Sequence, residues 1–326
     1  MIGEVIHTWD RTGLDGDGPG FTVVARTAGL SRESASRAAQ WSGHRVGLDA
    51  GRTIAIRRIE TAGGSWTLLS ATAPCRDHGG GANRIAHHLI IEDGDLHEFD
   101  PAAALLEWSP SLEWDGPPRE LEPPGRPAPL APAPCRTWQT VVGDSGWAGV
   151  VAERLRQLQG ETLVVLLPGQ LDFDGSVGIA AELAAILPEA ERRELTFSNR
   201  LGTSESPQLV ILDDAAAAIA ERPLPGGSAL LDLRAAPPCG EGSFVSHARE
   251  GHSIPPSAAR SLPSIGDREV ARVEPSPSAW SGSIEVRMSP TDDRGPTGRI
   301  LAVVAVVAAA SLLLWLLVSS GKGGGP

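Results

Sequence analysis

Two motifs contain the residue types from which a serine hydrolase is built. Residues 78–81 have the sequence HGGG, and residues 143–149 have the sequence GDSGWAG. Esterases of the α/β-hydrolase class use an HGGG loop to supply oxyanion-binding amides and a GxSxG serine on a strand-to-helix turn as the nucleophile. In this interpretation Ser145 is the nucleophile, and residues 137–155 are predicted to form strand, turn and helix.

Three features of the sequence disfavour this hydrolase interpretation. Trp147 lies two places after Ser145, where the close approach of strand and helix requires a small residue. The HGGG motif follows a polar segment interrupted by proline, residues 71–77, and not a hydrophobic strand. The histidines beyond Ser145 are His247 and His252, which both fall in a segment that we predict to be disordered. The serine esterase is therefore the alternative, and no catalytic residue is predicted.

The paired histidines His87 and His88 suggest a metal site. Successive side chains of a strand point to opposite faces, so the pair cannot bind one ion together. One of them could combine with Asp77, His78 or His44, but no helical HxxxH or HExxH spacing supports this. The glycines after His78 could also form an anion-binding nest, although no GK[ST] sequence follows them. We predict neither a metal nor a cofactor.

For two aspartates and two tryptophans we prefer a structural role. Asp172 and Asp174 follow a predicted parallel strand, where ligands often bind, but acidic residues there also cap the next helix. Trp138 and Trp147 are expected to pack against a sheet, as large aromatic side chains usually do.

Composition excludes several classes of protein. The net charge of −12 and the absence of a basic cluster argue against a nucleic-acid surface, which needs clustered cations. The three cysteines, Cys75, Cys135 and Cys239, have no CxxC spacing, which disfavours a disulfide framework and a thiolate zinc site. A reducing compartment fits best.

The hydrophobic pattern predicts an α+β domain followed by a small α/β domain. Short β-branched runs separated by glycine predict strands in the first part, with one helix capped by Ser31. Buried strands alternating with helices predict a parallel sheet in the second part. The predicted boundaries are 1–114 for the α+β domain, 115–137 for a proline-rich linker or wrapping segment, 138–234 for the α/β domain, 235–299 for a disordered stalk, 300–318 for a transmembrane helix and 319–326 for a short tail.

The segment 300–318 contains nineteen uncharged residues, almost all of them apolar. As a helix it would be about 28 Å long, which matches the hydrocarbon core of a bilayer. The first residues lack the basic and apolar regions of a secretory signal. Arg294 and Arg299 before the span, against Lys322 after it, predict that the bulk of the chain faces the cytoplasm. We therefore expect a single-pass, tail-anchored membrane protein.

Several segments together resemble one bacterial family. They are GPGFTVVARTAGLSRE (18–33), GGANRIAHHLIIE (80–92), PAAALLEWSPSLEWDGPP (101–118), CRTWQTVVGDSGWAGVVAE (135–153) and RRELTFSNRLG (192–202). In order and spacing they resemble proteins carrying the N-terminal domain, type 2, of GTPase-associated protein one, including planctomycete members that end in a membrane segment. The resemblance covers roughly residues 1–235.

This resemblance implies a non-catalytic adaptor in a GTPase-centred bacterial conflict or signalling system, with a GTPase or an associated complex as its partner. The family pattern places its asparagine, basic residue and two histidines on Asn83, Arg84, His87 and His88, and these four are the predicted binding residues. The chain departs from the family at residues 196–200, where TFSNR replaces TFSTY. The resemblance also implies that the HGGG and GDSGWAG motifs are structural.

Overall fold

The structure is a computed structural model. It describes residues 2–42, 51–61, 64–76, 82–95, 100–128, 130–158, 160–201, 207–214 and 228–256. His44, Asp77, the HGGG motif and the segment 300–318 lie outside the described residues.

The strands of the described residues form one ten-stranded sheet. In chain order they are β1 (Ile2–Asp10), β2 (Gly20–Thr27), β3 (Thr53–Thr61), β4 (Gly64–Arg76), β5 (Ala82–Glu92), β6 (Arg119–Leu121), β7 (Leu163–Leu166), β8 (Phe197–Ser198), β9 (Leu209–Leu212) and β10 (Ala229–Asp232). The spatial order is β10-β7-β9-β8-β3-β4-β5-β1-β2-β6.

The sheet has an antiparallel part and a parallel part that meet at one pair of strands. Strands β3, β4, β5, β1 and β2 are antiparallel neighbours, whereas β10, β7, β9 and β8 run parallel. The junction is the antiparallel pairing of β3 with β8, in which Ala55 pairs with Ser198 and Ile56 pairs with Phe197. The predicted α+β and α/β parts are both present, but they share one sheet and are not separated by the proline-rich segment.

Seven α-helices and one 3₁₀ turn, Asp93–Asp95, lie in the part of the chain that the structure describes. The helices are α1 (Arg32–Ala39), α2 (Pro101–Glu107), α3 (Arg136–Val142), α4 (Gly146–Leu158), α5 (Phe173–Ile186), α6 (Glu189–Glu194) and α7 (Ser243–Glu250). Within the described ranges, no helix has the length and apolar character needed to cross a membrane.

Two predicted helix caps are confirmed. The Ser31 hydroxyl accepts a hydrogen bond from Ser34 N at 3.0 Å at the start of α1. The Asp172 carboxylate accepts one from Gly175 N at 2.7 Å at the start of α5. Each cap satisfies a backbone N–H that has no partner inside its helix. Asp172 therefore has the capping role that the sequence favoured over a ligand-binding role.

The hydrophobic core lies on both faces of the antiparallel strands. On one face, Val5, Leu68 and Ile90 pack with α1. On the other face, the main cluster contains Trp138 and Trp147, which are 0% and 3% exposed. The Trp138 indole donates to Ile179 O at 3.0 Å, and the Trp147 indole donates to Pro237 O at 3.2 Å. The predicted burial of both indoles is confirmed.

The proline-rich segment wraps the domain and contributes one short strand. Strand β6 pairs in parallel with β2 at the edge of the sheet, which the density of prolines had not predicted. Leu130 N donates to the Asp100 carboxylate at 3.4 Å, and Leu130 O accepts from Arg192 at 3.2 Å. Cys135 N donates to Ala248 O at 3.1 Å. These contacts are those of a wrapping segment, which was one of the two predicted roles, and not those of a linker.

Helix α7 contradicts the prediction that disorder begins at residue 235. Its backbone lies against α4, and the close approach depends on two glycines of the GDSGWAG motif. A Cβ atom at Gly149 would overlap the carbonyl oxygen of Phe244, and one at Gly146 would lie 2.7 Å from Val245 Cγ1. Glycine at these two positions therefore allows α4 and α7 to pack closely.

An ion pair also holds α7 to the turn before α4. The Asp144 carboxylate accepts hydrogen bonds from Arg249 Nη2 at 2.6 Å, from Cys239 N at 2.8 Å and from Gly146 N at 2.8 Å. These contacts lower the pKa of Asp144 although burial acts in the opposite direction. Because the Arg249 side chain is 38% exposed, the ion pair alone contributes little to stability. The backbone hydrogen bonds to Asp144 also hold the segment before α7 in place.

We expect Gly149→Ala to destabilise the protein because the added methyl group forces α4 and α7 apart. Overpacking of this kind typically costs about 1–3 kcal/mol, and the higher helix propensity of alanine offsets part of it. Denaturant unfolding of the full chain should show a loss of about 2 kcal/mol, and hydrogen exchange should accelerate in α7. Gly125→Ala is the control, since a Cβ there meets nothing within 4 Å. Unchanged stability of the Gly149 variant would contradict this account.

Candidate functional site

Strand β5 carries all four predicted binding residues into the interior. Asn83 and Arg84 are each 3% exposed, His87 is 4% exposed and His88 is 0% exposed. The two histidines point to opposite faces of the sheet, as strand geometry predicts. The four side chains therefore contact the protein interior and not solvent in this structure, and their role in binding stays a prediction.

His88 belongs to a buried hydrogen-bonded chain on the face covered by α1. Its Nε2 lies 2.9 Å from Ser42 Oγ, and its Nδ1 lies 2.8 Å from Ser70 Oγ. Ser42 Oγ is also 2.9 Å from His7 Nδ1. A hydroxyl group has one hydrogen to donate, so Ser42 donates to at most one of the two rings and at least one ring nitrogen donates to it. Ser70, His88, Ser42 and His7 thus form one continuous hydrogen-bonded chain.

This chain of contacts joins the end of α1 to strands β1, β4 and β5. A serine hydrogen-bonded to an imidazole, which is in turn oriented by a second hydroxyl, is also the arrangement of an activated nucleophile. Ser42 and His88 are each 0% exposed, so no substrate can approach them in this conformation. The network satisfies polar groups that would otherwise be buried without partners, which is costly.

Sequence reasoning missed Ser42, Ser70 and His7. The signal in the sequence was on β4, where Ser70 and Thr72 occupy alternate positions on the face of His88, and His7 is the polar residue of β1 on that face. Strand alternation identifies side chains that share a face, but Ser42 follows α1 and is not in a strand. Strand periodicity therefore could not identify it.

His87 occupies a different polar site on the opposite face. Its Nδ1 accepts a hydrogen bond from Ser111 N at 2.8 Å, and its Nε2 lies 3.5 Å from Glu4 Oε1. The Trp108 ring packs against it with a centroid separation of 5.0 Å, and the Trp108 indole donates to Glu4 Oε1 at 3.0 Å. Because Nδ1 accepts from an amide, the neutral ring carries its proton on Nε2, toward Glu4.

Burial disfavours the charged forms of this pair. It lowers the pKa of His87 to about 4, and it raises the pKa of Glu4, opposed by the hydrogen bond from Trp108. The imidazole is therefore neutral at neutral pH, and the contact with Glu4 is not a full ion pair there. This site fixes the segment 108–111 against the sheet.

Asn83 and Arg84 also have internal roles. The Asn83 side-chain oxygen accepts from Arg84 N at 2.7 Å, and Arg84 O accepts from the Thr8 hydroxyl at 3.0 Å. The Arg84 guanidinium donates to Thr72 Oγ1 at 3.0 Å. Burial is the main cause that lowers the pKa of Arg84.

The predicted strand before Ser145 is wrong. Residues Arg136–Val142 are α3, Gly143 adopts a left-handed conformation with φ 86°, and α4 begins at Gly146. Ser145 N donates to the Gln139 side chain at 3.1 Å, and the residue is 8% exposed. A turn between two helices is not the strand-to-helix turn on which α/β-hydrolases mount a nucleophile.

Metal and thiol chemistry have little support in the described part of the chain. No group of three or more histidine, cysteine, aspartate or glutamate side chains there could hold a metal ion. Burial raises the pKa of both Cys135 and Cys239 to about 12, so these thiols are protonated at neutral pH and are poor nucleophiles.

Residues 1–128 match the family model of GTPase-associated protein 1, N-terminal domain type 2. The resemblance is confirmed over this range. It includes β1 to β6 and both histidine sites, whereas β8, which pairs with β3, lies beyond it. No curated protein and no solved structure matches the chain significantly.

The His87 site makes stability depend on pH. Its pKa is about 4 in the folded protein and near 6.5 in the unfolded chain, so the unfolded state binds more protons between these values. The contribution of His87 to stability is complete above about pH 6.5 and falls as the pH is lowered toward about 4, by at most about 3 kcal/mol. Glu4, whose pKa is raised, changes stability in the opposite direction with pH.

We expect His87→Asn to reduce the loss of stability between pH 6.5 and 4.5, because asparagine can accept from Ser111 N but does not titrate. Denaturant unfolding of the full chain at several pH values measures this slope. His252→Asn is the control, since the His252 side chain is 63% exposed. Equal slopes for the wild type and His87→Asn would show that this imidazole does not control the pH dependence.

Proposed function

We propose that this chain is a non-catalytic binding module that associates with a GTPase, or with a complex around one, in a bacterial conflict or signalling system. The observation that carries the proposal is the match of residues 1–128 to a GTPase-associated domain family. Because Asn83, Arg84, His87 and His88 are buried, the surface that contacts the partner is formed by other residues.

Several features support a binding role over a catalytic one. The imidazoles of His87 and His88 contact protein groups on opposite faces of the sheet. Ser145 lies between two helices, and the glycines that follow it serve the packing of α7 against α4. The residues of the GDSGWAG motif thus have structural explanations that need no bound substrate.

Direct binding to a GTPase tests this function. The tagged full chain should be isolated from its own cells, and any GTPase recovered with it should be purified and titrated against the chain with GDP and with a non-hydrolysable GTP analogue. We expect a saturable complex whose affinity differs between the two nucleotides. His87→Asn should bind equally well because that side chain is internal. Failure of every recovered GTPase to bind the purified chain would contradict the proposal.

A fluorophosphonate probe tests the alternative, a serine esterase that uses Ser145. We expect no labelling of the full chain, because Ser145 lacks the strand-to-helix turn. Labelling that disappears in Ser145→Ala would favour the esterase. Trp147→Phe provides a matched control for changes in packing beside the serine.

We further propose that residues 300–318 tether the protein to a membrane, with the bulk of the chain facing the cytoplasm. The supporting observation is the run of nineteen uncharged residues in the sequence. Deletion of residues 296–326 should move the protein from the membrane pellet to the soluble fraction, whereas deletion of residues 319–326 alone should not. Retention of the longer deletion in the pellet would contradict the tether.

A further inference from the structure

A groove lies between the turn after β1 and the proline-rich segment before β6. Its volume is about 370 Å³, and its walls are formed by residues 10–12 and 116–118. Both walls belong to the part of the chain that matches the family model. None of the four predicted binding residues of β5 lines the groove, so it is a separate feature of the surface.

The turn that carries Arg11 into this groove has a fixed backbone. Asp10 Oδ1 accepts from Thr12 N at 2.8 Å and from Thr12 Oγ1 at 3.1 Å. Leu14 N donates to Val23 O at 2.8 Å, which ties the turn to β2. The carboxylate of Asp10 is therefore used inside the turn, whereas Arg11 lines the groove and is exposed.

Arg119 is held at the opposite wall by stacking. Its guanidinium carbon lies 4.3 Å from the centroid of the Trp114 ring. A Cβ atom at Gly116 would lie 2.5 Å from Arg119 Nη1, so the guanidinium rests against the glycine of this wall. Stacking on an indole fixes the plane of a guanidinium and leaves the N–H groups at its edge available to an acceptor. Arg119 therefore presents oriented donors beside the groove.

Neither of these two arginines forms an ion pair or a side-chain hydrogen bond within the described ranges of the chain. By contrast, the guanidinium of Arg26 on β2 pairs with Asp15 at 2.7 Å. Exposure alone is ordinary for arginine. Arg11 and Arg119 differ from most because both belong to one groove and one of them is oriented by an aromatic ring. Their unused donors indicate an acidic group from outside the chain.

The edge of the sheet beside the groove is open to an extended segment. Among the strands that the structure describes, β6 is the last, with β2 on one side only. Ala28 N donates to Leu121 O at 2.9 Å, so the backbone groups of Glu120 point away from β2. The side chains of Arg119 and Leu121 share one face of β6, and that of Glu120 lies on the other. A strand added at this edge can therefore place side chains beside Arg119.

We propose that this groove binds an acidic, extended segment of a partner protein. The carboxylates of that segment pair with Arg11 and Arg119, and its backbone lies along β6. Guanidinium groups bind carboxylates through two parallel hydrogen bonds, which gives the contact direction as well as charge. Pro117 and Pro118 supply a rigid wall without backbone donors. The inference does not depend on whether the partner is a GTPase.

A titration of the full chain, in a non-ionic detergent, with a labelled peptide tests the groove. The probe contains four consecutive glutamates, and its counterpart contains four glutamines. We expect saturable binding of the glutamate peptide, about tenfold tighter or more than that of the glutamine peptide. Arg119→Gln should weaken this binding about tenfold or more, because an oriented, charge-assisted pair of hydrogen bonds is lost. Arg119→Lys should bind with intermediate affinity, since it keeps the charge without the paired donors.

Arg136→Gln is the matched control, because Arg136 is an exposed arginine of α3 and its loss changes the net charge equally. It should leave binding unchanged. Glu120→Gln, on the other face of β6, should not weaken binding either. Arg11→Gln should weaken binding and unfold at the wild-type temperature, since that side chain has no contact within the described residues to lose. This variant tests the groove even if Arg119→Gln does not fold.

Three results would overturn the proposal. They are no binding of the glutamate peptide to the wild type, equal binding of the two peptides, and a loss of affinity in Arg136→Gln as large as that in the groove variants. Displacement of the peptide by inorganic phosphate at concentrations at which acetate has no effect would assign the groove to phosphate, and this too would overturn the assignment to carboxylates.

Discussion

The burial of β5 on both faces is the constraint on which the rest of the structure depends. A strand in this position can carry histidine, asparagine and arginine only if the surrounding elements supply hydrogen-bond partners. Ser42 and Ser70 do so on the face of His88, and the backbone of Ser111 does so on the face of His87. The polar side chains thereby determine where α1 and the segment after α2 pack.

The pairing of β3 with β8 joins the antiparallel and parallel parts of the sheet. It extends the antiparallel sheet of the matched domain into a parallel sheet formed by later residues, so the boundary at residue 128 is not a structural boundary. The same pairing ties Asn199, in the turn after β8, to Ile54 of β3.

The sequence predicted local features well because they depend on neighbouring residues. Strand alternation around His87 and His88, the caps at Ser31 and Asp172, and the burial of Trp138 and Trp147 all follow from periodicity or side-chain chemistry. Features that depend on distant contacts were missed. The segment before Ser145 contains β-branched residues, which favour a strand, but it forms a helix whose Thr137 N donates to Glu182 of α5 at 2.9 Å. The burial of β5 likewise requires elements that are far away in the chain.

The docking of α7 has a practical consequence for anyone expressing part of this protein. Composition suggests that the folded region stops near residue 235, yet the Trp147 indole donates to Pro237 O and the Asp144 carboxylate accepts from Arg249. Truncation at that apparent limit would strip one side of α4 and uncover a large aromatic ring, inviting aggregation. A shortened version should retain every residue through 256.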